Sequence, residues 1–168
     1  MTRLLLILAF FVTAVSAVEP KGFEEIPFGL KQNEVVEAAF KMGESPEVQS
    51  NSVVIPQYHL GDLLVKVTLK FNRSGLFYSY ELRTGFIERD RLAKVIEAAR
   101  YMSEQLELTF GPPFKKKFSR IEELENKKRS PFWLWNNPEV DVATYIQTED
   151  IRFYTQCTVT SKQLGRVR

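Results

Sequence analysis

Cysteine and histidine are almost missing from this chain, which has one of each, Cys157 and His59, among 168 residues. A lone cysteine closes no internal disulfide, so the fold must rest on its apolar core. One histidine and one cysteine far apart in sequence give too few ligands for a tetrahedral zinc site. No Asp-x-Asp-x-Asp loop marks a calcium site. No metal and no cofactor is therefore expected. A surplus of one charge is lacking as well: 23 Lys and Arg stand against 21 Asp and Glu. That balance is not the basic footprint of a nucleic-acid binder, so nucleic acid is not an expected partner.

Long apolar runs are scarce too. The one at residues 4–12 is too short to span a bilayer comfortably, and it sits between Arg3 and the small residues Val15, Ser16 and Ala17. This is the pattern of a secretory signal over residues 1–17, which implies a periplasmic or secreted protein. No cysteine follows the run, so a bacterial lipid anchor is not encoded, and no transmembrane segment is expected after cleavage. Removing the signal takes only Arg3 from the charged residues and leaves the chain near neutral.

What the chain does have is apolar and aromatic content, 44% and 12%, with 13 Phe, 6 Tyr and 2 Trp. Aromatic residues fill half-buried pleated surfaces, so a sheet-rich core is expected. The clearest strand pattern is a hairpin over residues 64–82. Val65, Val67, Leu69 and Phe71 share one face of its first arm, with Lys66, Thr68 and Lys70 opposite. In the second arm Leu76, Tyr78, Tyr80 and Leu82 share a face, which puts Phe77, Ser79 and Glu81 on the other. Asn72, Arg73, Ser74 and Gly75 form the turn. Asn72 also opens an N-glycosylation sequon, read as incidental.

Around this hairpin, Phe23 to Leu30 reads as a short edge strand, with Pro27 excluding a central position. Residues 32–42 read as a helix with Val35, Val36, Ala39 and Phe40 on one stripe, stopped by Gly43 and Pro46. Residues 48–57 read as a strand, and residues 58–62 as a turn. Residues 88–110 form the best helical pattern, ended by Gly111, Pro112 and Pro113. The 64–82 hairpin is the expected floor beneath that helix. Residues 114–130 are densely charged and read as a solvated insertion in which Ile121 and Leu124 suggest one helical turn. Three strands follow near residues 132–135, 140–145 and 151–159, and Cys157 reads as a small buried hydrophobe. A polar tail covers residues 161–168.

The order of elements implies one α+β domain over residues 18–160. We expect an antiparallel sheet of about six strands with two helices on one face, and an αβββ–αβββ pseudo-repeat.

The motif Phe23-x-x-Ile26-Pro27-Phe28-Gly29-Leu30, followed by Glu34-Val35, and the later Leu108-Thr109-Phe110-Gly111-Pro112, resembles helix boundaries of small exported bacterial α+β proteins. The groups it is similar to are the BamE-like outer-membrane assembly lipoproteins and the β-lactamase-inhibitor-protein-like fold. The resemblance implies a binding or assembly role without catalysis. Two departures stand out. Lys31 occupies the helix-cap position where those proteins place Ser or Thr, which removes the reciprocal capping box with Glu34. The lipoprotein cysteine is also missing.

The candidate chemistry is sparse. His59 reads as an exposed turn residue without the positioned partner that a general base needs. Glu122, Glu123 and Glu125 sit among cations, with no apolar setting to raise a carboxylate pKa. Partner binding is the better expectation. Its candidate residues are Trp133 and Trp135, two apart on one strand face; Phe77, Lys66 and Lys70 on the non-core face of the hairpin; and the run Lys115, Lys116, Lys117. The expected partner is a protein or a cell-envelope component. The alternatives are an exported hydrolase-like enzyme with a dispersed site, and an inhibitor of an exported enzyme.

Overall fold

A computed structural model describes residues 22–117, 124 and 128–166; the expected signal at 1–17 lies outside the described residues. Among the described residues, two helices of ten residues or more and eight strands form one α+β unit. Helix α1 spans Gln32–Lys41 and is followed by β1 (Glu47–Val48), β2 (Ser52–Leu60), β3 (Leu63–Phe71) and β4 (Phe77–Thr84). Helix α2 spans Leu92–Phe110 and is followed by β5 (Lys115–Lys116), β6 (Arg129–Asn136), β7 (Val140–Glu149) and β8 (Arg152–Ser161). All eight strands lie in one sheet, in the order β1-β2-β3-β4-β8-β7-β6-β5, and every pairing is antiparallel. The two strands beyond the expected six are the two-residue edges β1 and β5. Short edges leave few unpaired backbone groups for another chain to add to.

Alternation along the strands sends one face of the sheet into a single core. Val65, Val67 and Leu69 of β3 lie opposite Thr84, Leu82 and Tyr80 of β4. Leu82 and Tyr80 in turn face Cys157 and Val159 of β8, and these face Thr144 and Val142 of β7. Helix α1 adds Val35 and Ala39, while α2 adds Val95, Ala99, Met102 and Leu106. Burying a side chain of this size stabilises the fold by roughly 1.5–3 kcal/mol, so this set is the main source of cohesion in a chain without a disulfide.

The helix α2 does not lie on the 64–82 hairpin as expected. It packs on β8, β7 and β6. The Thr155 hydroxyl donates to the Val95 carbonyl at 3.1 Å, and Ser103 Oγ meets Thr144 Oγ1 at 2.8 Å. The hairpin floor is instead covered by the segment before α1. The ring of Phe23 packs edge-on against Tyr58 and Tyr80, and Phe28 packs on Phe77 and Tyr80. That segment is not an edge strand. Phe23 and Ile26 exchange backbone hydrogen bonds around Glu24 and Glu25, a two-residue turn, and Gly29 N–H donates to the Phe77 carbonyl. Helix α2 also meets the first half at the β2–β3 turn, where the Asp62 backbone N–H donates to the Tyr101 hydroxyl at 3.3 Å. A side chain at Gly61 would meet the Tyr101 hydroxyl at 1.9 Å, and its φ of +58° lies in the left-handed region that favours glycine, so both packing and backbone fix this position.

Other expectations shift locally. Tyr58, His59 and Leu60 belong to β2, and the turn is confined to Gly61 and Asp62. Half of the capping box at α1 does form: Glu34 accepts from the Lys31 backbone N–H at 2.7 Å, and only the reciprocal half, which a lysine ammonium cannot supply, is missing. Pro56 sits in β2 where the register slips between Ile55 and Tyr58, beyond the reach of β1, so its missing N–H leaves no gap. The charged insertion is less solvated than expected. Lys115 and Lys116 pair with Leu134 and Trp133, and Leu124 is 1% exposed. Ile121, Glu122, Glu123 and Glu125 lie outside the described residues. The tail folds back as a short 3-10 turn, Leu164–Arg166, whose Leu164 carbonyl accepts from Asn72 Nδ2 at 3.1 Å.

Candidate functional site

Among the described residues, no further layer of secondary structure covers the side of the sheet away from the helices. Its two ends differ in chemistry. Toward one end lie Lys70, ion-paired with Glu81 at 2.9 Å, and Ser79, whose hydroxyl meets Thr160 Oγ1 at 2.7 Å. These are short, internally satisfied cross-strand contacts.

The other end is built by a break in the β4–β8 ladder. Regular pairing stops at Arg83 with Gln156, and the strands meet again at Ile87 with Phe153. Between them the Thr84 hydroxyl accepts the Thr155 backbone N–H at 2.9 Å, in place of a ladder bond. Three residues, Thr84, Gly85 and Phe86, thus stand opposite two, Tyr154 and Thr155, an excess of one residue. Such a bulge re-aims a side chain, and Phe86 lands on Tyr154 edge-to-face, with centroids 5.6 Å apart and planes at 89°.

Guanidinium groups fill the spaces between these rings. The Arg83 carbon lies 3.8 Å from the Tyr154 centroid and 4.6 Å from that of Phe86. Arg152 lies 4.1 Å from the Phe86 centroid. Two strands further on, Arg129 lies 3.6 Å from the centroid of Tyr145. Cross-strand register ties the groups together: Lys66 faces Arg83, Gln156 faces Tyr145, Tyr154 faces Gln147, and Gln147 faces Arg129. The strip thus runs from β3 to β6, four inter-strand steps or roughly 19 Å. Each exposed cation–ring contact contributes about 0.5–1 kcal/mol. One carboxylate enters the strip: Glu149 Oε2 accepts from Arg83 Nη2 at 3.2 Å, with the Glu149 side chain 53% exposed. Arg129 and Arg152 have no ion pair among the described residues.

At the β3 end the strip opens into a groove of about 360 Å³, lined by Pro56, Leu64, Val65, Lys66, Arg83 and Phe86. Two other depressions lie on the helix side. One of about 530 Å³ runs along α2 past Lys94, Glu97, Arg100 and Glu104, where charges of both signs alternate. One of about 310 Å³ lies between Phe23, Glu24 and α2, over Tyr80 and Leu82. Glu24 there has a φ of +49° and accepts from the Tyr58 hydroxyl at 2.9 Å. His59 is exposed on β2 and lines none of these three.

The expected docking residues fare unevenly. Phe77 is fully buried, and Trp133 and Trp135 are 4% and 5% exposed, so they form no surface patch. Phe77 turns inward because the register slips between Lys70 and Phe71, which pairs Phe77 with Phe71 rather than continuing the alternation. Both tryptophans pack under the C-terminal half of α2, where Trp135 Nε1 donates to the Gly111 carbonyl at 2.7 Å. Lys116 is held by Glu107 at 3.1 Å and lies 4.0 Å from the Trp133 centroid. Lys117 continues the edge, its backbone N–H donating to the Phe132 carbonyl at 2.7 Å. Lys66 and Lys70 do lie on the open face, but only Lys66 adjoins the strip.

The sequence reading missed Arg83, Phe86, Arg129, Tyr145, Arg152 and Tyr154. Arg152 and Tyr154 alternate with buried Phe153 and Thr155, so their shared face was legible; the convergence of Phe86 on them needs the bulge. No family model, curated protein or solved structure matches the chain. Among the described residues no helix is long and apolar enough to cross a membrane, and no group of three or more His, Cys, Asp or Glu is placed to hold a metal.

Proposed function

We propose that this is an exported, non-enzymatic binding protein that docks a protein or cell-envelope component on the open face of its sheet. The observation that carries the reading is the strip of Arg83, Arg129 and Arg152 interleaved with Phe86, Tyr145 and Tyr154. Arginine and tyrosine dominate binding hot spots because they combine large contact area with directional donors. Cation–ring stacking also fixes the arginines before a partner arrives, which lowers the ordering cost of binding. The sequence pattern at 1–17 supports export. An inhibitor of an exported enzyme is a special case of the same role.

The domain also fits two αβββ units, each extended by a short edge strand. Support comes from the sheet order, in which β1 to β4 run inward from one edge and β5 to β8 from the other.

The docking reading is tested by capture from envelope extract with the mature chain. The triple variant Arg83→Ala, Arg129→Ala, Arg152→Ala is compared with Lys70→Ala at the far end of the same face. Loss of the captured partners with the triple variant alone is the expected result. Equal capture by all three proteins overturns the reading.

A further inference from the structure

We infer that the occupant of this strip is an extended acidic peptide segment carrying an apolar side chain; the inference rests on the docking face proposed above. The charge argument comes first. Lys66, Arg83, Arg129 and Arg152 line one end of the open face, and Glu149 is the one carboxylate paired to the strip there. Two of these cations, Arg129 and Arg152, have no carboxylate partner among the described residues. Among the described residues, a chain with near-balanced charge thus places an unbalanced set of arginines on one surface.

Arg83 shows that stacking leaves the donors usable. It sits between the rings of Tyr154 and Phe86 and still donates to Glu149 at 3.2 Å. A stacked guanidinium presents several N–H groups in a planar fork that matches a carboxylate. Arg129 and Arg152 are stacked in the same way and can take carboxylates from outside. From β4 to β6 is about 14 Å, a distance covered by four or five extended residues.

The groove at the β3 end decides between acidic ligands. Pro56, Leu64, Val65 and Phe86 line it beside Lys66 and Arg83. An anionic glycan or a phosphate brings no apolar side chain to fill that space. A peptide with a leucine or phenylalanine next to its acids fills both halves of the site. In this arrangement Glu149 is the internal occupant of Arg83, and the incoming carboxylate displaces it.

The test is fluorescence anisotropy of the full chain with a labelled octapeptide of alternating glutamate and serine ending in leucine. Its counterparts carry glutamine for glutamate, lysine for glutamate, or alanine for the leucine. The glutamate peptide is expected to bind at least tenfold more tightly than the glutamine and lysine forms, weakening as salt rises, and the alanine form is expected to lose several-fold. The double variant Arg83→Ala, Arg152→Ala is expected to lose about tenfold. Glu149→Gln is expected to gain about two- to fivefold, a change that misfolding cannot imitate. The inference is overturned if the glutamine peptide binds equally well, if the arginine variant binds unchanged, or if Glu149→Gln weakens binding. The envelope capture separates the two levels. Partners lost with the triple arginine variant, but no preference for the glutamate peptide, overturn the acidic occupant and leave the docking face standing. Unchanged capture removes the face itself.

Discussion

The hydroxyl of Thr144 lies 2.8 Å from that of Ser103, in the middle of the core between β7 and α2. Ser103 donates to the Ala99 carbonyl at 2.7 Å, so the proton between the two hydroxyls comes from Thr144. The Trp133 backbone N–H, freed where β6 slips register between Pro131 and Leu134, then donates to Thr144 Oγ1 at 3.0 Å. One side chain therefore closes the ladder defect in β6 and anchors the helix above it.

Thr144→Val keeps the volume and removes this bridge, leaving the Trp133 N–H without its acceptor. The expected cost is about 1–3 kcal/mol, read as a lower urea midpoint at unchanged slope. Thr144→Ser keeps the hydroxyl and loses only a methyl group, so it should cost less. Equal losses for the two variants would show that packing, not the hydroxyl, holds the site.

The two tryptophans differ in one respect that a substitution can isolate. Trp135 Nε1 donates to the Gly111 carbonyl at the end of α2, whereas Trp133 Nε1 is buried without a hydrogen-bond partner among the described residues. Replacing each with phenylalanine removes similar volume. Trp135→Phe should therefore be the more destabilising by about 1 kcal/mol in chemical denaturation. A larger loss at Trp133 would contradict the assignment.

Alkaline stability follows from three weak acids, the buried Cys157 and Tyr80 and the half-buried Tyr58. Burial pushes the Cys157 thiol above its ordinary value of 9.0, with the nearby Glu81 adding to it. Burial raises Tyr80 well above 10.0, and burial together with the Glu24 hydrogen bond raises Tyr58. A group whose folded pKa is raised stabilises fully below its unfolded pKa and loses that contribution as pH climbs toward the folded value. Stability should thus be flat from pH 7 to 8 and fall above about 9, by up to ~1.4 kcal/mol per pH unit for the thiol. A steeper fall should follow above 10 as the tyrosines join. Cys157→Ala should abolish the first step and keep the second. An unchanged onset in that variant would rule the thiol out.

The turn between β7 and β8 holds Asp150 at a φ of +57°, a left-handed conformation that costs a non-glycine residue roughly 1 kcal/mol. Asp150→Gly should recover part of that, about 0.5 kcal/mol, in thermal denaturation. A fall in Tm would mean that the aspartate side chain does more than fill the turn.

The fold was legible wherever residues alternate without interruption. Val65, Val67 and Leu69 face inward as the pattern requires, and the helices end at Lys41 and Phe110, close to the expected stops. It failed where a strand slips. One bulge near Phe71 carries Phe77 to the opposite face, and no local pattern at Phe77 announces it. Periodicity also cannot say which strands a helix covers; α2 follows β4 in sequence yet lies on strands made later. The tryptophans at two-residue spacing left both faces of β6 open as candidates, and only their packing under α2 places them inside. For the site, Arg152 and Tyr154 were readable as neighbours, but Phe86 and Arg83 reach them through a discontinuity in pairing that depends on strands about 70 residues apart.

The order of strands has a bearing on synthesis. Residues 79–83 of β4 pair with residues 156–160 of β8, the seam between the two halves of the sheet. The strand nearest the middle is thus the last of the eight to emerge from the ribosome. Until it arrives, β4 and β7 are both open edges, and the halves have no shared ladder. A nascent chain of this design stays unfinished until its final strand is made. The same delay exposes two long edges to other chains, so truncation before residue 150 should promote aggregation.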